Sequence, residues 1–395
     1  MHAVRSILVF VALGAVLVLA GCGGQGPRTP SGLLDSPAHH FNNGLRLLDE
    51  GDAAGAGAQF DLALQMEEEY PPALAGKGYV FALAGDFDEA RDLIDDARDA
   101  ADDDDLPTDV RMWPEIMDIR TLAAMRAAGA LDRDDYMDEV AEILDRGLEI
   151  DALSPALHFW AGEAYVQALE FPEAERMFAR VLQLDRGYMD RARERWRVVQ
   201  DVNRAEPGTV VGKRVALVRA ISRADLAALL VEELDVARFY SVTGQPRVEP
   251  FATPDQKRAK LALDTANAVT DIAGHPLRSD IDKVLNFGVK GLDLYPDRSF
   301  RPNDIVTRAE AAMVFEDVIV RATGRDRLAT EFIGIKSTIA DVRGDHPAFN
   351  AIMLCTTRGV MGTDLRSGAF RPLDGVSGVD ALLAVQRLKR DLALF

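Results

Sequence analysis

The strongest constraint on how this chain can fold is a recurrence at a fixed interval. Gly44 and Gly78 lie 34 residues apart, as do Gly51 and Gly85, Ala56 and Ala90, and Phe60 and Ile94. A third copy of the pattern occupies Pro155–Tyr188, with Gly162, Tyr165, Ala174 and Phe178 in the corresponding positions. A unit of this length holds one helix pair, which cannot cover its own apolar face and must stack on its neighbours. Gly78 and Gly162 are 84 residues apart, two periods plus 16, so an irregular helix pair with a 16-residue insertion is expected over about 105–154. The Asp102–Asp105 run followed by Pro107 is a natural place for part of that insertion and reads as a solvated loop.

The register of small and aromatic residues in these copies resembles the tetratricopeptide repeat. That resemblance implies a helical solenoid over 37–190 whose concave groove binds a protein client, or else serves as a spacer. His158 sits where the repeat wants a large packing residue. The adjacent His39 and His40 point different ways on a helix, so both positions read as structural.

A different unit recurs in the second half. Asp271 and Asp341 are 70 residues apart, as are Gly274 and Gly344, Phe300 and Phe370, Pro302 and Pro372, and Thr307 and Ser377. Thr307-Arg308-Ala309-Glu310 has the form of a capping box, in which hydroxyl and carboxylate each satisfy a backbone amide at the helix start. Ser222 with Asp225, and Ser377 with Asp380, are shorter versions. Arg223 and Arg308 occupy the first helical position, where a cation opposes the helix dipole. The helix gains nothing from them there, which points to a role outside the helix. In the third copy Gly378 stands in their place.

This second pattern resembles the S-layer homology repeat, which opens on an aspartate-apolar pair, continues through a glycine-aromatic-x-aspartate loop and F-x-P, and has a threonine-arginine-alanine-glutamate start to its second helix. Three copies, at about 191–235, 269–324 and 339–395, imply one pseudo-threefold helical module over 191–395. The first is degenerate, with its first helix near Arg191–Arg204. The resemblance implies an acidic cell-wall glycan as ligand, with Arg308 and Arg223 as its cationic contacts and Asp271 and Tyr295 beside them. The tryptophan expected after the histidine is missing, since Pro276 follows His275 and Pro347 follows His346. Phe300 reads as core. Val242–Asp255, with three prolines, reads as a loop between the first and second copies.

At the N-terminus, Arg5 precedes an apolar run from Ile7 to Ala20. Its 14 residues would span about 21 Å as a helix, short of the roughly 30 Å hydrocarbon core. That is the length of a signal-peptide apolar region. Leu19-Ala20-Gly21-Cys22 resembles the lipobox of bacterial lipoproteins, which implies a signal peptide over 1–21, diacylglyceryl attachment at Cys22 and a tether over 22–36. Gly23, rather than aspartate, implies an outer-membrane destination facing the periplasm if the host is Gram-negative.

Composition excludes other classes. Asp plus Glu number 64 against 45 Lys plus Arg, a net charge of −19 that repels a phosphate backbone and argues against nucleic acid. Two cysteines and six histidines form no ligand cluster at metal spacing. Asp293, Asp297 and Asp304 lack the spacing of a calcium loop. Cys355 lies on an apolar helix and reads as a buried thiol. No nucleophile elbow, phosphate loop or dinucleotide fingerprint is present, so no enzyme and no cofactor are expected. The sequence therefore predicts a mainly α-helical, non-enzymatic envelope lipoprotein: a tetratricopeptide-type solenoid followed by a three-repeat S-layer homology module linking a membrane to wall polysaccharide or peptidoglycan. The alternative is an outer-membrane assembly or export factor that binds a protein client and carries a degenerate structural module.

Overall fold

The structure is a computed structural model that describes residues 28–32, 35–240 and 269–392. The signal segment, Cys22, most of the expected tether and the expected 242–255 loop lie outside the described residues. The chain is mainly helical. Among the described residues its only β pairing is two isolated bridges, Ser222 with Ile305 and Thr307 with Gly375. It divides into two compact units, one ending at Ala130 and the other starting at Leu131.

The first unit is a series of antiparallel helices: α1 (Pro37–Asp49), α2 (Ala53–Met66), α3 (Pro71–Ala84), α4 (Phe87–Ala101) and α5 (Thr108–Ala127). Pro37 and Pro71, 34 apart, each open the first helix of a pair, where a missing amide costs nothing and the fixed φ suits the helix. Ser36 caps α1 by accepting the His39 amide. The recurring glycine marks the close crossing within a pair. A Cβ at Gly78 would sit 2.9 Å from the Ala90 carbonyl. Phe41, Phe60 and Ile94 fill the core between the pairs.

The second unit begins with α6 (Arg133–Asp151), α7 (Pro155–Gln167), α8 (Phe171–Leu184) and α9 (Met189–Ala205). Helix starts at Pro71, Thr108 and Pro155 show where the extra 16 residues go. They fall mostly into helix length, since α5 has 20 residues and α6 has 19. Only a minor share enters the aspartate loop, because continued helix satisfies its own backbone groups and a long loop does not.

Beyond α9 come α10 (Val210–Ala216), α11 (Arg223–Ala228) running on into a π-turn at Leu229–Glu233, α12 (Ala237–Tyr240), α13 (Arg278–Phe287), α14 (Arg308–Thr323), α15 (Phe349–Thr357) and α16 (Gly378–Leu392). One apolar core extends from Phe159 on α7 to Leu392 on α16. Phe300, Phe315 and Phe370 are among its largest fully buried side chains.

Candidate functional site

Three short extended segments precede α11, α14 and α16, and their backbones close on one another. The Ile221 amide donates to the Val376 carbonyl (2.8 Å), Val376 to Val306 (3.1 Å), and Val306 to Ile221 (2.9 Å). Each non-proline residue brings one donor and one acceptor, so three residues can form a closed ring with no group left over. The three helix starts are thereby held side by side.

Each helix start is capped by its own side chains. Thr307 Oγ1 accepts the Glu310 amide at 3.2 Å, and Glu310 Oε2 accepts the Thr307 amide at 2.8 Å. Ser222 and Asp225 form the same reciprocal pair, at 3.2 and 2.8 Å. Ser377 Oγ accepts the Asp380 amide at 3.1 Å and donates to its carboxylate at 2.8 Å.

The arginines correct the sequence expectation that both guanidinium groups stand free for an external anion. Arg223 is buried at 7% exposure. Its Nε, Nη1 and Nη2 donate to the carbonyls of Phe300, Gly291 and Asp293 at 2.9, 2.9 and 2.8 Å. Arg308 repeats the device one copy later: Nε donates to Phe370 O at 2.7 Å and Nη2 to Gly362 O at 2.6 Å. The cation that opposes its own helix dipole is balanced by carbonyl dipoles of the next copy's loop. Arg223 is thus an internal fastener, with all three nitrogens engaged. Arg308 is half-buried and retains Nη1 with no partner among the described residues.

Asp271 is exposed, but it too is engaged by the backbone of its own copy. Its two oxygens accept the Phe300 and Arg301 amides at 2.8 and 2.7 Å, and Asp341 does the same for Phe370 and Arg371, both at 2.7 Å. These bonds hold Arg301 and Arg371 in the left-handed region, each at φ +56°, a conformation unfavourable for a residue with a Cβ. Burial pushes the Asp341 carboxyl up, but the amides of Phe370 and Arg371 outweigh it and hold it below the ordinary range. Asp271 thus fixes the loop's shape.

Tyr295 is half-buried, with the Arg301 guanidinium 3.9 Å from its ring centre and that of Arg223 5.1 Å away. Arg301 also meets Asp297 at 3.3 Å. The Ser299 hydroxyl and amide, aided by Arg301, hold the Asp297 carboxyl down at about 2. The surface around this loop thus carries Tyr295, Arg301, Asp297 and the free edge of Asp293. Sequence reasoning missed Arg301 and Arg371. The available signal was the shared 70-residue spacing of Asp271 and Asp341 with the F-x-P segments they clamp.

Gly378, where the third arginine would stand, has a steric cause. A Cβ there would lie 1.7 Å from the Val215 carbonyl of α10, and the Gly378 amide donates to Val218 O at 2.8 Å. The end of α10 occupies the place that a neighbouring loop fills in the other two copies.

Other candidate residues lie against the protein itself, although the buried His158 Nδ1 has no hydrogen-bond partner among the described residues. His40 meets Asp35 and Gln59 at 2.8 and 2.9 Å. His158 Nε2 meets Ala152 O at 3.1 Å, and burial pushes its pKa down. Cys355 is fully buried, and burial pushes its thiol well above the ordinary range. No group of three or more His, Cys, Asp or Glu among the described residues could hold a metal ion. No helix among them is long and apolar enough to cross a membrane.

Residues 292–312, which run from the loop of the second copy through the F-x-P segment into α14, match the family model of the S-layer homology domain. No curated protein and no solved structure gives a match. The matched segment contains Tyr295, Arg301, the Thr307–Glu310 cap and Arg308, and the domain it matches is a binding module known for anchoring proteins to cell-wall polymers.

Proposed function

We propose that this protein is a non-enzymatic envelope lipoprotein whose C-terminal unit grips an acidic cell-wall glycan. In this reading Cys22 carries the membrane anchor and the helix pairs, of tetratricopeptide type, offer a surface to a protein client. The observation that carries the reading is the S-layer homology match, which falls on the loop and helix start presenting Arg308 and Tyr295. Two nitrogens of Arg308 are fixed by carbonyls, which orients the guanidinium at little further entropic cost and reserves Nη1 for a carboxylate. Arg223 and Asp271 serve this site by shaping it rather than by touching the glycan.

Sedimentation with purified wall sacculi tests the proposal. One charge-assisted contact is worth roughly 1.5–3 kcal/mol, so Arg308→Ala should weaken pelleting about tenfold or more. A folded Arg308→Ala chain that pellets like the wild type would remove Arg308 from the glycan site.

A further inference from the structure

Part of the expected tether over 22–36 falls on described residues just ahead of α1, namely 28–32, 35 and 36. Its described residues are fastened onto the first helix pair. The Arg28 amide donates to the Gln65 carbonyl in the last turn of α2 at 2.6 Å. The Arg28 guanidinium reaches Asp35 through Nη1 at 3.0 Å and Met66 Sδ through Nη2 at 3.3 Å. The Ser31 amide and hydroxyl both donate to Asp35 at 2.6 Å, and His40 Nε2 meets the same carboxylate at 2.8 Å. Asp35 is thus a hub for three other residues, and its side chain is only 12% exposed. The Ser31 hydroxyl and the Arg28 guanidinium hold its carboxyl far below the ordinary range.

We infer that the contacts of Arg28, Ser31 and Asp35 form a strap that shortens the tether and holds the first helix pair close to the lipid surface entered by Cys22. The inference rests on the proposed lipidation of Cys22. Six residue steps separate Cys22 from Arg28, and at 3.3–3.6 Å per residue they reach at most about 22 Å. With the strap open, fourteen steps to Ser36 would reach at most about 50 Å. The closed strap therefore confines Gln65 and Met66, at the end of α2, to a shell near the lipid headgroups, and opening it more than doubles the permitted range.

The test uses the lipidated full chain carrying a donor dye on Glu68→Cys, an exposed position beside the strap. It is bound to phosphatidylethanolamine/phosphatidylglycerol vesicles that contain an acceptor-labelled lipid. Energy transfer should be strong, and it should be weaker in the Arg28→Ala/Asp35→Ala chain while that chain still sediments with the vesicles. Equal transfer in the two chains overturns the strap. A second measurement needs no lipid: hydrogen exchange at the Arg28 and Ser31 amides of the full chain carrying Cys22→Ser. Slowing of about tenfold or more relative to an unstructured peptide, as a charge-assisted bond predicts, supports the strap, and exchange at the unstructured rate overturns it. Sedimentation of the Cys22→Ser chain with vesicles would count against the lipid attachment alone, and the exchange rates would still decide the strap.

Discussion

Replacing Arg223 with alanine removes three hydrogen bonds that cross from the start of α11 to the loop before α14. The Phe300 carbonyl lies over a fully buried side chain and loses a charged donor that water cannot readily replace. An unsatisfied buried acceptor costs about 1–3 kcal/mol. The carbonyls of Gly291 and Asp293 are nearer the surface, so water can take over, and about 1 kcal/mol each is a fair figure. The guanidinium also stacks 4.8 Å from the Phe300 ring centre, and that contact goes too. The sum is about 3–5 kcal/mol of module stability, at the high end for one substitution. For a unit of this size it corresponds to a fall in Tm of about 6–20 °C. The assay is denaturant and thermal unfolding of the full chain, followed by far-ultraviolet circular dichroism. Arg223→Lys should fall between wild type and Arg223→Ala, because a single ammonium cannot serve three divergent carbonyls. If Arg223→Ala unfolds within about 0.5 kcal/mol of wild type yet loses wall binding, the arginine contacts a ligand and the fastening argument is wrong.

Three further outcomes follow from the same geometry. Gly378→Ala should destabilise the C-terminal unit by about 2–3 kcal/mol, since the new Cβ collides with backbone that cannot swing aside; an unchanged unfolding midpoint would show that α10 yields easily. Asp341 has its pKa lowered in the folded chain, so its contribution is present above the unfolded value of about 3.9 and is lost as pH falls through the lower folded value. Asp341→Asn should therefore cost about 1 kcal/mol at pH 7, allowing for solvent exposure, with the gap from wild type closing below pH 4; an equal gap at pH 7 and pH 3 would contradict this. In a Cys22→Ser chain, Cys355 should ignore a thiol reagent until the unit unfolds, because burial keeps it protonated and out of reach; prompt labelling of the native chain would refute that.

Much of the fold was legible because its signals are side-chain signals at fixed intervals. Gly44 and Gly78 marked the helix crossings, and Thr307 with Glu310 announced the start of α14 three residues ahead of its carboxylate partner. The partners of Arg223 and Arg308 were not legible, because backbone carbonyls belong to every residue and leave no trace in composition. For the same reason Asp271 looked like a free carboxylate until its amide partners were seen. The reason for Gly378 was not legible either, because the Val215 carbonyl that excludes a side chain there belongs to a short helix the 70-residue pattern does not contain. Arg28 was hidden in a stretch of glycine, proline and polar residues, whose composition says tether whether or not one arginine finds a purchase.

The triangle formed by Ile221, Val306 and Val376 also sets the order in which the C-terminal unit can be completed. Its first and last corners are separated by more than a third of the polypeptide. During vectorial synthesis the Ile221 amide must wait for its partner until Val376 has left the ribosome. Contacts so distant in sequence close slowly, and deleting the segment before α16 would undo a junction laid down some 150 residues earlier. The three copies are therefore interlocked and stand or fall together.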